Sequence, residues 1–100
     1  MKRERKVLEA VLFAGKVMGR VNKVSELEDC TEVFIEVGNI NYQVVIERET
    51  EEYSLYTKFD LDSDRKTAKT LLETQNSLFH SLVSQKLEEL SVGSIEVETP

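Results

Sequence analysis

The sequence holds a single cysteine, a single histidine, a single proline and no tryptophan among its 100 residues. One cysteine excludes an internal disulfide, and one cysteine with one histidine excludes a structural zinc site. No apolar run approaches the ~20 residues that span a bilayer, so no membrane is expected. The apolar stretch from Ala10 to Ala14 is too short for the centre of a secretory signal, and the cytoplasm is the expected compartment. Glycine-rich phosphate loops, nucleophile elbows and HExxH are all missing.

The residues that could carry chemistry have ordinary explanations. Cys30 lies among Glu28, Asp29 and Glu32, whose negative charge disfavours a thiolate. His80 falls at the edge of an apolar helical face and reads as a boundary residue. Acidic runs occur at Glu47, Glu49, Glu51 and Glu52, and at Asp60, Asp62 and Asp64. The second run has alternate carboxylates that suit Mg²⁺ or Ca²⁺, but lacks the glycine and distal Glu of a calcium loop. It reads as a solvated turn that caps a helix. No catalysis, no cofactor and no metal are expected.

What is present is a globular composition, with 40% hydrophobic and 32% charged residues, enough for one core and one domain over 1–100. The net charge of −6 hides an asymmetry. Residues 1–24 carry seven bases against Glu4 and Glu9, whereas the rest of the chain is strongly acidic. A basic arm on an acidic body can bind nucleic acid or an acidic partner, or lie on its own chain or on a second copy.

The first element reads as a basic helix over 2–19. Val7, Leu8, Val11, Leu12, Ala14 and Met18 follow the 3,4 spacing of a buried face. Lys2, Lys6, Glu9, Phe13, Lys16 and Arg20 share another side. Phe13 is therefore expected to stand exposed among basic residues, as a docking anchor. Gly15 and Gly19 have the spacing for close backbone approach, and Gly19 is a plausible stop. Residues 20–30 form a connector, either a helical turn capped by Ser25 and Glu28 or a short strand at Val21–Val24.

A three-stranded sheet follows over 31–61. Val33, Ile35 and Val37 alternate with Glu32, Phe34 and Glu36, and Ile40, Tyr42, Val44 and Ile46 with Asn41, Gln43, Val45 and Glu47. Between them Gly38-Asn39 suits a type II′ turn. That turn sets Val37 opposite Ile40, Ile35 opposite Tyr42 and Val33 opposite Val44, all on one side. A third strand through Tyr53, Leu55 and Thr57 puts Tyr56 beside Gln43, with Phe34 on Gln43's other flank. Phe34 and Tyr56 then form a row on the outer face, within an acidic surround of Glu32, Glu36, Glu47 and Asp60.

The last element reads as a long helix over 64–91, with a cap at Gly93 and a weak stretch at Gln75-Asn76-Ser77 where a bend is expected. A straight helix of this length, about 40 Å, outruns a strand of about 23 Å. Its distal apolar residues, Leu82, Val83, Leu87 and Leu90, then need cover from the first helix or from a second copy of the chain. Ile95 and Val97 alternate with acids and could add a short C-terminal strand.

Ser63-Asp64-Arg65-Lys66-Thr67-Ala68-Lys69 resembles the SKKxAK stretch of double-stranded-RNA-binding domains, and the order helix, three strands, helix is also theirs. The resemblance implies phosphate contacts at Arg65, Lys66 and Lys69. The glycines before that motif are replaced here by Asp60-Leu61-Asp62, and the small residues after it by Leu71 and Leu72.

The reading is an α+β two-layer sandwich, α-β-β-β-α, with an antiparallel sheet and both helices on one face. The expected function is a small non-catalytic interaction module, an adaptor or regulator, that acts as a homodimer. Its partner-binding candidates are Phe13, Phe34, Tyr56, Leu82 and Leu87. The alternative is a nucleic-acid-binding protein using Lys2, Lys6, Lys16 and Arg20.

Overall fold

The computed structural model describes the backbone at residues 3–38, 40–59 and 65–98, and side chains at 6–38, 40–58 and 69–90. The fold is α+β, with element order α1 (Arg3–Met18), β1 (Arg20–Glu26), β2 (Cys30–Val37), β3 (Ile40–Glu47), β4 (Tyr53–Phe59) and α2 (Arg65–Glu98). The four strands form one antiparallel meander, β1-β2-β3-β4. The sheet thus has one strand more than the three expected from the sequence, and the topology departs from that of double-stranded-RNA-binding domains. The extra strand is the connector, whose Leu27 N–H closes the β1–β2 turn on the Cys30 carbonyl at 2.8 Å.

The central hairpin follows from alternation and its turn. Val33 pairs with Val44, Ile35 with Tyr42 and Val37 with Ile40. All six are buried, together with Ile46. Gly38 has φ +59, the left-handed conformation that the first position of a primed turn demands. Asn39 lies outside the described residues.

Val7, Ala10, Val11 and Ala14 of α1 and Phe79 and Val83 of α2 complete the core on the same side of the sheet. Helix α1 docks closely because of its glycines. A Cβ on Gly15 would meet Ile35 Cδ1 at 2.8 Å, and one on Gly19 would meet the Glu36 carbonyl oxygen at 2.1 Å. The helix ends with the Gly19 N–H bonded to the Gly15 carbonyl at 2.9 Å, and the chain enters β1 directly.

Helix α2 runs unbroken through Gln75-Asn76-Ser77 and past Gly93 to Glu98. Neither the expected cap at Gly93 nor a terminal strand through Ile95 and Val97 is formed. A lone strand leaves every backbone group unpaired, whereas continued helix pairs each N–H with the carbonyl four residues back. At ~1.5 Å per residue, 34 helical residues account for most of the molecule's 55 Å long axis. No helix among the described residues is long and apolar enough to cross a membrane.

Candidate functional site

The helices lie together on one face, so the other face of the sheet is uncovered. Pairing aligns its side chains in rows across all four strands. One row runs Lys23, Phe34, Gln43, Tyr56, and the next runs Arg20, Glu36, Asn41, Lys58. Phe34 and Tyr56 flank Gln43 as their spacing demands, about 10 Å apart at two strand separations. Tyr56 is 57% exposed and Phe34 is half-buried.

The fourth strand changes the electrostatics of this face. The surround expected from the sequence is acidic, but β1 brings Arg20 and Lys23 beside the aromatic row, and Lys58 lies next to Tyr56. Arg20 Nη2 donates to Glu36 Oε1 at 2.8 Å, and its Nε donates to Asn22 Oδ1 at 2.9 Å. Gln43 Nε2 donates to Glu32 Oε2 at 2.6 Å. Among the described residues of this face, the bases Arg20, Lys23 and Lys58 balance the acids Glu32, Glu36 and Glu47, while Asp60, expected in the same surround, lies outside the described residues. Lys23 belongs to this face and the sequence reading missed it, whereas Val45 was placed here by alternation but not chosen as a candidate. Lys23 lies in the connector, where no alternation was legible.

The remaining candidates do not converge on one site. Phe13 is half-buried rather than exposed, with Lys86 Nζ 5.2 Å from its ring centroid. Leu82 and Leu87 are half-buried and pack against the central core, on a helix whose main neighbour is α1. Lys16 is exposed on α1, whereas Arg20 is tied to Glu36 on the opposite face of the sheet. Lys6 also lies on α1, and the position of Lys2 is outside the described residues. These bases therefore lie on both sides of the sheet. Lys69 is exposed, while the Arg65 and Lys66 side chains lie outside the described residues, as does the Asp60–Asp64 run. Val17, Leu71 and Leu78 are exposed on the helices, with Leu71 and Leu78 two turns apart.

His80 and Cys30, the two residues with reactive potential, have separate surroundings. The exposed His80 has Nδ1 2.7 Å from the Tyr53 hydroxyl, and burial pushes the Tyr53 phenol above its ordinary pKa. Cys30 lines an open recess of about 470 Å³ with Glu28, Asp29, Val45, Glu47, Arg48 and Glu49. No group of His, Cys, Asp and Glu among the described residues is arranged to hold a metal ion. No family model, curated protein or solved structure matches the chain.

Proposed function

We propose that the chain is a non-catalytic protein-interaction module, an adaptor or regulator, whose binding surface is the outer face of the sheet. The observation that carries this reading is the row Lys23, Phe34, Gln43, Tyr56 on a face that neither helix covers. Its charges are balanced and dispersed, and its aromatics are presented on rigid strands. Protein interfaces combine such aromatic contacts with a polar rim. A phosphate-binding surface needs a clear excess of positive charge, which this face does not have. The partner that suits it is a protein surface with apolar side chains flanked by charges of both signs.

The test is affinity capture on the tagged chain, with amide exchange on the captured complex. Protection of β2 and β4 amides, and loss of capture by the Phe34→Ser/Tyr56→Ser variant with an unchanged circular dichroism spectrum, are expected. Fluorescence anisotropy with labelled duplex and single-stranded oligonucleotides at two salt concentrations tests the other partner class. Binding that falls steeply with salt and vanishes on charge reversal of Lys6, Lys16 and Arg20 would overturn the proposal.

A further inference from the structure

We infer that β4 is the edge through which two copies of the chain pair, joining their sheets into one antiparallel sheet of eight strands. The inference rests on reading the sheet as an interaction element, and it names a second copy as one of its partners. The two edges of the sheet differ. Strand β1 has an irregular register between Val21 and Lys23 and carries Arg20, Lys23 and Glu26 within seven residues. A bulge and charges of this kind blunt an edge against pairing. Strand β4 has neither protection. Its register with β3 is regular from Tyr53 to Phe59, it contains no proline, and Lys58 is its one charged residue.

The hydrogen-bond phase of β4 is fixed by its turn. The Glu47 N–H donates to the Glu52 carbonyl at 2.9 Å, which makes Ile46 and Tyr53 a non-hydrogen-bonded pair. By alternation, Ser54, Tyr56 and Lys58 turn their backbone groups to β3. Tyr53, Leu55 and Thr57 turn theirs outward, where no other strand lies among the described residues. A second copy related by a two-fold axis at Tyr56 meets these outward groups in phase. Leu55 and Thr57 then exchange both backbone hydrogen bonds with Thr57 and Leu55 of the other chain. Tyr56 faces its own copy across a non-hydrogen-bonded pair, where side chains approach most closely.

The side chains agree with that register. Lys58 falls opposite Ser54, so no like charges are opposed, and the 57%-exposed Tyr56 gains an aromatic neighbour. On the inner face, the β3 residues from Ile40 to Ile46 are buried, but Tyr53, Leu55 and Thr57 are only half-buried, and the second sheet would extend their cover. The join also makes the candidate binding row continuous across both chains, with the two Tyr56 side chains at its centre.

Sedimentation velocity between 5 and 200 µM tests the pairing, with twice the 11.5 kDa chain mass expected. Thr57→Pro removes an outward N–H that β3 does not use, so the strand keeps its ladder and the dimer is expected to weaken at least tenfold. Tyr56→Lys opposes two ammonium groups across the axis, and its dimer is expected to weaken comparably and to recover in part at 1 M salt. In the wild type, the Leu55 and Thr57 amides are expected to exchange slowly, and in Tyr56→Lys quickly. A one-chain mass at 200 µM, or a dimer that keeps its stability and leaves the Leu55 and Thr57 amides unprotected, would overturn the inference. Partner capture by a strictly monomeric wild type would overturn it while leaving the interaction reading intact.

Discussion

Gly19 and Glu36 touch backbone to backbone, so closely that a Cβ at position 19 would lie 2.1 Å from the Glu36 carbonyl oxygen. A peptide carbonyl held in a strand cannot yield. Gly15 meets Ile35 Cδ1 instead, the end of a flexible side chain, at 2.8 Å. Gly19→Ala is therefore expected to destabilise the fold by ~3 kcal/mol through overpacking. Gly15→Ala stays within about 1 kcal/mol of the wild type, because the gain in helix propensity offsets the shift of Ile35. Urea unfolding of the two variants measures the difference.

Tyr42 anchors α2. Its ring stacks on Phe79 at 6.3 Å between centroids, and its hydroxyl donates to Gln75 Oε1 at 3.1 Å. Phe79→Ala is expected to cost about 3–5 kcal/mol, since that ring is fully buried between Tyr42 and Tyr53. Tyr42→Phe costs about 1 kcal/mol, the net worth of one hydrogen bond. Thermal unfolding followed at 222 nm separates the two.

Alkaline pH is expected to destabilise the fold through its tyrosines. Burial raises the pKa of both Tyr42 and Tyr53 above the ordinary value of 10.0. With a raised folded-state pKa, the stabilisation is complete below pH 10 and is lost as pH climbs from there through the folded-state value. Urea midpoints between pH 8 and 11.5 should fall above pH 10, and the Tyr42→Phe/Tyr53→Phe variant should show a shallower fall.

The β3–β4 turn stores strain at Glu51, whose φ of 62 lies in the left-handed region. For a side-chain-bearing residue this costs about 1–2 kcal/mol, part of which glycine would return to its greater unfolded entropy. Glu51→Gly is expected to stabilise the protein by up to about 1 kcal/mol, read as a raised urea midpoint with an unchanged slope.

The central hairpin was legible in the sequence because two patterns agreed there. Period-two alternation and a two-residue turn specify the same pairs, from Val37–Ile40 to Val33–Val44. The placement of Phe34 and Tyr56 beside Gln43 followed from that register. Strand β1 was legible only as one of two alternatives, the short strand at Val21–Val24, because Asn22 is an extra residue in it. Val21 pairs with Ile35 and Val24 with Val33, so residues two pairs apart on the partner are three apart on β1, and alternation is broken. The basic half of the outer face was lost with it. Phe13 was misplaced for another reason: a single helix shows which side is apolar, but not that Lys86 of a helix about 70 residues later covers its margin. The fate of Ile95 and Val97 turned on the absence of a neighbouring strand, which no local pattern records.

The irregularity at Asn22 limits how far these molecules can assemble. A sheet with two flat edges adds copies indefinitely and becomes a fibre, whereas a sheet with one flat edge stops after a single step. One inserted residue, together with the charges of β1, blunts that edge and makes pairing through β4 a closed reaction with both outer ends capped. Deleting Asn22 restores an even register along β1, and with Arg20, Lys23 and Glu26 also replaced by threonine it opens a second growing end, so the expected product of the combined variant is a thioflavin-positive polymer.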